Sequence, residues 1–351
     1  MGYEWSIDPA EFFTERRAQM LNTGLSEAGV DTVQAAVREM WIDAPGGWTY
    51  EWSSLARTYA DAGRSDLAAL AYGWAKFPTL ANAAMRTALA NQLDQYQRAA
   101  SGFPVNFERR VLDLPYQGGR TQVPVHILTA EGLAADAPAI IVSGGVDSWK
   151  MDLHGIFAGL ALTGIGRVMA FDIPGTGEST IPMTASGGAE VVEGLIAEAR
   201  VLGARKVAHF GISMGGFYSA QSGLSGQVDA AVVLGGPVEA AFAPERGPSR
   251  FGMYDIVANS MGFDRRPEPA ELGAQRADFN LRPLLNQDRN AAMFVINGTD
   301  DVHVPQHDTL VFKGRRYTEA QLIADTGHCA VSKLSEVLPM IVAWLARTLN
   351  A

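Results

Sequence analysis

Apolar residues in the first hundred positions follow the spacing that is typical of α-helices. In stretches such as Asp31–Trp41 and Asp66–Trp74 they return every three or four positions, and alanine is frequent. The alternation of a β-strand is not seen there. We therefore predict a helical N-terminal cap domain over residues 1–103, which covers an apolar part of the rest of the protein.

Tryptophan is concentrated in this helical region. Five of the seven tryptophans fall in it, namely Trp5, Trp41, Trp48, Trp52 and Trp74. A tryptophan in such a domain packs in a core more often than it lines a pocket. Trp48 and Trp52 follow a turn at Pro45–Gly47, and this makes their loop the first candidate in the cap for contact with a ligand.

From residue 104 onward the pattern changes to an alternation of strands and helices. Phe107–Leu114 and Val123–Thr129 are predicted to form an antiparallel pair, and the continuous apolar run Ala139–Val142 is typical of a parallel strand covered on both faces. Further predicted elements are a helix over Lys150–Leu162, a strand over Val168–Ile173, a helix over Ala189–Val201, strands at Lys206–Phe210, Ala230–Leu234, Ala292–Asn297 and Gln321–Ala324, and a closing helix over Val331–Leu349. This order predicts an α/β domain over residues 104–351 with a doubly wound, mostly parallel sheet.

The alternation is interrupted over residues 237–290. The interval holds six prolines and the aromatic residues Phe242, Phe251, Tyr254, Phe263 and Phe279. It is too long for a plain connection and too irregular for a sheet, so we predict an inserted lid of short helices.

Composition and charge narrow the class of protein. Hydrophobic residues make up 47% and charged residues 19% of the chain, as in a globular enzyme, and the formal net charge is −10. A protein that binds a phosphate backbone is expected to have a basic face, so a nucleic-acid partner is not expected. The single cysteine, Cys329, excludes an intrachain disulfide and a four-cysteine metal site. We expect a cytoplasmic protein without a membrane segment.

The segment Gly211–Gly216, with the sequence GISMGG, fits the nucleophile elbow G-x-S-x-G around Ser213. An apolar strand precedes it and a segment able to form a helix follows it, which is the context that the elbow requires. A serine on a sharp turn leaves little room for side chains two residues away, and glycine occupies both of those positions. The alternative is a glycine-rich turn with an incidental serine.

An activated serine needs a base and an acid, which follow it in that order along an α/β-hydrolase chain. The loop after the strand ending at Asn297 presents Asp300 and Asp301. We choose Asp301 because hydrolases of this class usually carry the acid three residues after such a glycine, and we keep Asp300 as the alternative. Of the six histidines, only His328 lies between the last strand and the closing helix. Asp301 and His328 are therefore the candidate acid and base, and Gly327 is expected to let the chain turn.

Acyl transfer also requires donors for the negatively charged oxygen of the intermediate. The backbone N–H of Met214, directly after the nucleophile, is one candidate. The other is expected from the loop Ser143–Ser148, where either Gly145 or Val146 supplies it.

The combination of the helical N-terminal region with the motifs GGVDS, DIPGTGES, GISMGG and DTGH resembles the esterase FrsA-like branch of the α/β-hydrolases. That branch includes a hydrolase of a carbon–carbon bond in a nicotine-derived ketone and fungal enzymes that shorten polyketides. In the former, the loop after the oxyanion glycines carries a glutamate that takes part in catalysis, and the matching residue is Asp147. Aspartate is one methylene shorter, so Asp147 either acts in catalysis or only caps the next helix.

The resemblance implies a serine hydrolase that cleaves a carbon–carbon bond beside a carbonyl group in a small molecule, a ketone or a β-diketone. The aromatic cap and lid make an aromatic or polyketide-like substrate plausible, with Trp48, Trp52, Phe251 and Tyr254 as its contacts. No metal or organic cofactor is expected, and the relatives suggest a homodimer. The alternatives are a carboxylesterase or lactonase with the same triad, and a ligand-binding protein that has lost catalysis.

Overall fold

The chain forms two compact units in the computed structural model, which describes residues 2–243 and 250–350. Within these residues, one unit comprises 2–103 together with 250–267, and the other comprises 104–243 together with 268–350. The interval 237–290, predicted as one lid, is thus divided between the two units. Residues 244–249 of that interval lie outside the described part of the chain.

Thirteen α-helices and eight strands are found among the described residues. The helices are α1 (Pro9–Asn22), α2 (Glu27–Ala36), α3 (Trp48–Asp61), α4 (Ser65–Ala75), α5 (Ala83–Ala99), α6 (His154–Leu162), α7 (Ala185–Val201), α8 (Met214–Leu224), α9 (Met253–Ser260), α10 (Pro269–Arg276), α11 (Arg282–Leu285), α12 (His307–Leu310) and α13 (Leu334–Asn350). The strands are β1 (Asn106–Tyr116), β2 (Gly119–Thr129), β3 (Ala139–Ser143), β4 (Arg167–Phe171), β5 (Val207–Ile212), β6 (Ala230–Leu234), β7 (Ala292–Gly298) and β8 (Thr318–Ile323).

All eight strands belong to one sheet in the order β1-β2-β4-β3-β5-β6-β7-β8. β1 pairs with β2, and β2 with β4, in antiparallel fashion, and every other neighbouring pair is parallel. The strands β3, β5 and β6 are buried along their whole length, as continuous apolar runs require. The predicted α/β class and mostly parallel sheet are confirmed.

The helical N-terminal segment has an aromatic core of its own. Helices α1 and α2 begin after Asp8 and Ser26, whose side chains accept backbone N–H groups. The core consists mainly of Phe12, Phe13, Trp48, Trp52, Trp74 and Phe77, and the ring centroids of neighbouring members lie 4.9 to 6.2 Å apart.

The expectation that Trp48 and Trp52 contact a ligand is wrong in this structure. Both side chains are 0% exposed, and Nε1 of Trp48 donates a hydrogen bond of 2.6 Å to the carbonyl oxygen of Trp74. The two tryptophans recur four residues apart, so they lie on one face of α3 and point together into the core. They act in packing.

Residues 250–267 belong to the helical unit because buried polar groups tie α9 to it. The hydroxyl of Tyr3 donates a hydrogen bond of 2.9 Å to the carboxylate of Asp255, which is also 3.2 Å from the guanidinium of Arg266. The hydroxyl of Thr79 donates to Asn259 at 2.7 Å. These bonds join segments that are far apart in the sequence, which explains why periodicity alone did not assign α9 to the helical unit.

The C-terminal helix α13 has one apolar face on the sheet. Its buried residues are Val337, Ile341, Trp344, Leu345 and Leu349, and the ring of Trp344 stacks on Phe294 of β7 with centroids 5.8 Å apart. The segment His328–Asn350 is long and apolar enough to cross a membrane. That is weak evidence for a membrane span, because core helices of globular proteins have the same length and composition.

Candidate active site

Ser213 lies on a sharp turn between β5 and α8. Its backbone has φ 56° and ψ −123°, a region that non-glycine residues rarely adopt and that costs on the order of 1–3 kcal/mol. A Cβ atom at Gly211 would lie 2.0 Å from the carbonyl oxygen of Gly215, and one at Gly215 would lie 2.5 Å from the carbonyl oxygen of Gly144. The two glycines thus allow the close backbone approach that the sequence motif predicts.

Ser213, His328 and Asp301 are joined by hydrogen bonds in a row. Nε2 of His328 is 2.8 Å from the hydroxyl oxygen of Ser213, and Nδ1 is 2.7 Å from Oδ2 of Asp301. These side chains come from the ends of β5, β7 and β8, so the parallel sheet brings them to one edge. An imidazole held between a carboxylate and a hydroxyl can take the hydroxyl proton.

The geometry distinguishes the two aspartates of the acid loop. The side chain of Asp301 is fully buried, and its Oδ1 accepts the backbone N–H groups of His303 and Val304 at 2.7 and 3.0 Å. Asp300 is exposed, and its carboxylate accepts a hydrogen bond from the hydroxyl of Thr299. Asp301 is therefore the carboxylate that contacts His328.

The charges of the pair stabilise each other. Burial raises the pKa of Asp301, but hydrogen bonds from His328, Asn297 and the Val304 amide outweigh it and hold that pKa at about 2. Burial of the imidazole opposes its protonation, whereas the neighbouring Cys329 and the Asp301 carboxylate favour it. As a result, the pKa of His328 lies well above 6.5. A base of this strength readily accepts a proton from Ser213.

The loop that carries His328 bends at residues other than the expected glycine. Gly327 has φ −88°, which any residue can adopt, while the non-glycine residues Cys329 and Ala330 have φ 54° and 49°. The loop passes over the end of β6, where Gly235 has φ +65° and a Cβ atom would lie 2.5 Å from Sγ of Cys329. Glycine is thus required at the end of β6, beneath the histidine loop.

Two of the three candidate oxyanion donors have a backbone amide without a hydrogen-bond partner within residues 2–243 and 250–350. They belong to Met214, the first residue of α8, and to Val146. The amide of Gly145, by contrast, donates to the carbonyl oxygen of Ser148 at 3.1 Å. A Cβ atom at Gly145 would lie 2.9 Å from the Ser213 hydroxyl oxygen, so its backbone lines the nucleophile. Of the two candidates for the second oxyanion donor, Val146 is the one with an available N–H.

The loop Ser143–Ser148, here called the oxyanion loop, is joined to α6 by a turn. The helix predicted to begin at Lys150 therefore starts at His154. The turn arises because the carboxylates of Asp152 and Asp172 accept the backbone N–H groups of Trp149 and Lys150. The residue that caps α6 is Leu153, without a side-chain bond. Capping of this helix by Asp147 is therefore not seen, and Asp147 lies half-buried in the oxyanion loop.

A buried ion network fixes this turn. Nζ of Lys150 is 2.5 Å from the carboxylate of Asp172 and 2.8 Å from that of Glu178, and the Lys150 side chain is 0% exposed. Burial lowers the pKa of Lys150, but the two carboxylates outweigh it and the net shift is upward. The motif DIPGTGES, which contains Asp172 and Glu178, thus holds the chain that follows the oxyanion loop.

Replacing Lys150 with methionine is expected to destabilise the protein by about 3–5 kcal/mol, because it leaves the buried carboxylate of Asp172 without its cation, while Glu178 keeps that of Arg109. Urea unfolding followed by circular dichroism measures this change. Lys313→Met is the matched control, since Lys313 is exposed, and it is expected to stay within about 0.5 kcal/mol of the wild type. Equal stability of the two variants would show that the network does not hold the turn.

One further histidine and the remaining predicted site residues are placed as follows. His209 is buried in β5 beside Ser222, and burial lowers its pKa to about 3, which fits a core residue. Phe251 and Tyr254 belong to the helical unit, where the Tyr254 hydroxyl donates to the carbonyl oxygen of Pro267 at 3.0 Å; their contact with a substrate stays a prediction. No group of three His, Cys, Asp or Glu side chains within the described ranges could hold a metal ion.

Two residues near the triad were missed from the sequence. The ring of His303 lies edge-on to that of His328, with centroids 5.3 Å apart. Asn297 donates a hydrogen bond to Asp301 at 2.8 Å. Its only signal in the sequence was its place at the end of the strand before the acid.

The comparison with known proteins indicates the same family as the sequence motifs. The family model Esterase FrsA-like matches residues 8–326. Esterase FrsA of Photobacterium profundum is 25% identical over 279 residues, which are 73% of this chain and 64% of the relative. The chain therefore spans less than two thirds of the length of that relative.

Two solved structures share the architecture over almost the whole chain. The 2,6-dihydroxy-pseudo-oxynicotine hydrolase has a TM-score of 0.72 at 20% identity and covers 95% of both chains. The structure of wild-type AbyA5 has a TM-score of 0.79 at 21% identity and covers 98% of this chain and 99% of the other. At this identity the likeness shows the fold. Together with the match of the family model, it shows that the chain belongs to the esterase FrsA-like family and has the α/β-hydrolase fold.

Proposed function

We propose that this protein is a serine hydrolase that transfers an acyl group from a small carbonyl compound to water. The observation that carries the proposal is the row of hydrogen bonds from Asp301 through His328 to Ser213, at 2.7 and 2.8 Å. The family supports the same activity, since the relatives named above are called esterases. A protein that only binds a ligand has no need to keep an acid and a base in line with a strained serine.

The proposed reaction has two halves. In the first, the hydroxyl oxygen of Ser213 attacks the carbonyl carbon while its proton passes to Nε2 of His328, and the amides of Met214 and Val146 stabilise the oxyanion. The bond to the leaving group then breaks, and the leaving group receives the proton from His328. In the second half, water attacks the acyl-enzyme with His328 as base and releases the acid. This chemistry needs no metal or organic cofactor.

For the bond that is cleaved, we propose a carbon–carbon bond beside a carbonyl group, in a ketone or β-diketone of aromatic or polyketide type. The support is the likeness over the full length to a hydrolase named for a nicotine-derived ketone. The leaving group of such a reaction is a carbanion or an enolate, which must gain a proton. His328 can supply the proton that it took from Ser213. Asp147, which lies two residues after Gly145, can supply one when its carboxyl group is protonated and then regain it from His328.

The second candidate is cleavage of a carboxylic ester or a lactone by the same residues. It is favoured by the descriptions of the family and of the curated relative as esterases. An alkoxide leaving group takes its proton from His328 alone, so this reaction requires no further acid. Asp147 would then be a structural residue of the oxyanion loop.

Asp147→Asn separates the two candidates. If Asp147 protonates a carbon leaving group, the variant is expected to lose about 10²-fold or more in the cleavage of an aryl β-diketone. Hydrolysis of p-nitrophenyl acetate should change less than about threefold, because His328 protonates that leaving group. Both rates are measured by absorbance, and products are identified by mass spectrometry.

The matched control is Asp152→Asn, which alters a carboxylate that accepts the Trp149 amide in the turn directly after that loop. Its effect, through the shape of the loop, is expected to be similar for the two substrates. Equal loss in both reactions for Asp147→Asn would remove the catalytic role of Asp147. Turnover of esters or lactones alone by the wild type would reject carbon–carbon cleavage.

A further inference from the structure

Asn297 joins the two loops that carry the acid and the base. It lies at the end of β7 and is 0% exposed. Its Nδ2 donates a hydrogen bond of 2.8 Å to Oδ2 of Asp301, and its Oδ1 accepts the backbone N–H of Cys329 at 3.0 Å. One amide group therefore contacts the acid on one side and the residue directly after His328 on the other.

The two bonds constrain the same geometry. Oδ2 of Asp301 is also the oxygen that contacts Nδ1 of His328, so Asn297 and His328 meet at one atom. Cys329 has the left-handed φ of 54°, which is unfavourable for a residue with a side chain and has to be held by its surroundings. A primary amide is the neutral group that offers a donor and an acceptor from one planar unit.

The groups around Asn297 define what a substitution would change. The titratable groups in contact with it are Asp301, from the loop after β7, and Cys329, from the loop after β8. His328 follows at one hydrogen bond beyond Asp301, and the ring of His303 packs against His328. In the neighbouring strands, Leu322 of β8 is in register with Asn297, and Leu234 of β6 is in register with the preceding residue, Ile296.

We propose that Asn297 is a positioning residue, which fixes the Asp301 carboxylate and the His328 loop relative to each other so that the imidazole stays aimed at Ser213. This rests on the proposed function of Ser213, His328 and Asp301. Asn297 touches neither the nucleophile nor the substrate in this role. It acts through the acid and the base, and its loss lets His328 leave the line between them.

Asn297→Leu removes both bonds with a side chain of similar size. It is expected to lower kcat about 10²-fold with little change in KM, because small displacements in a catalytic site cost about that much.

Asn297→Asp has the same shape and keeps the acceptor for the Cys329 amide, but it sets a second carboxylate against Asp301. It is expected to lower kcat as well, and to move the acid limb of the pH profile upward, because added negative charge favours the imidazolium.

A double-mutant cycle distinguishes positioning from a general structural effect. If Asn297 acts through Asp301, adding Asn297→Leu to Asp301→Asn should cost less than about threefold more in kcat, since the paired residue is already lost. Full additivity of the two losses would overturn the proposal. Asn280→Asp is the control for an added charge: Asn280 is exposed and its Oδ1 accepts the Arg282 amide, which aspartate also does.

A readout without turnover keeps this test separate from the proposed function. In a Ser213→Ala background, proton NMR is expected to show the imidazole N–H that bonds Asp301, and Asn297→Leu should make it exchange rapidly with water. Circular dichroism shows whether each variant folds. If Asn297→Leu does not fold, Asn297→Asp takes its place in the NMR experiment. If this imidazole N–H is as well protected from exchange in both Asn297 variants as in Ser213→Ala alone, the positioning role is contradicted. If Ser213→Ala retained wild-type turnover, the proposed function itself would fail.

Discussion

Ser213→Ala is expected to lower kcat/KM about 10⁴-fold or more, for esters and for β-diketones alike. The hydroxyl is the nucleophile of the first half of the proposed reaction, and no acyl-enzyme can form without it. Residual activity from oxyanion stabilisation and substrate binding remains in triads of this kind. Steady-state rates measure the loss, and a fluorophosphonate probe that labels the wild type at Ser213 should leave the variant unlabelled.

The matched control is Ser225→Ala, at the other end of the α8 helix. The hydroxyl of Ser225 bonds backbone carbonyl oxygens of the preceding turn, including that of Gln221 at 2.8 Å. Its removal is expected to change the rate less than twofold. Wild-type rates in Ser213→Ala, or labelling of a different residue by the probe, would disprove the nucleophile.

Asp301→Asn is expected to lower kcat about 10⁴-fold, although the amide keeps the size of the side chain. An amide at this position can donate to Nδ1 of His328 and so favours the wrong tautomer of the imidazole. The variant also removes a negative charge that raises the pKa of His328. Because the reaction needs the neutral imidazole, the acid limb of the wild-type profile should lie above pH 6.5 and move to lower pH in Asp301→Asn.

Asp300→Asn provides the control, one residue away on the same loop. Asp300 is exposed and contacts the Thr299 hydroxyl, so its replacement is expected to change kcat less than about twofold and to leave the acid limb in place. The comparison requires the pH–rate profiles of the wild type, Asp301→Asn and Asp300→Asn. A larger loss in Asp300→Asn than in Asp301→Asn would assign the acid to the other aspartate.

The sequence was most informative where a local rule and the order of the chain agreed. The spacing of Gly211 and Gly215 around Ser213 reflects a steric requirement that few residues can meet, and the structure shows the close contacts that impose it. His328 could be selected because it alone lies between the last strand and the closing helix. The sheet was predictable because buried parallel strands are continuous apolar runs.

Contacts between distant segments could not be predicted in the same way. The pattern of Trp48 and Trp52 is the same whether their face of the helix packs in a core or lines a pocket, and the structure alone shows the core. Assignment of residues 250–267 to the helical unit depends on bonds such as that from Tyr3 to Asp255, 252 residues apart. The spacing of apolar residues along the chain does not indicate contacts between such distant residues.

Features that depend on a single hydrogen bond could not be predicted from the sequence either. Gly145 and Val146 are neighbours with the same backbone donor, and the bond from Gly145 to Ser148 is what distinguishes them. Asn297 had no signal other than its strand, because its role depends on two loops that meet only after folding.

The glycine at the end of β6 bears on how the substrate range of this protein can be redesigned. β6 lies between the strand of the nucleophile and the strands of the acid and the base, and Gly235 leaves no space for a side chain beneath Cys329. A library that varies residue 235 to reshape the pocket would displace the base along with it.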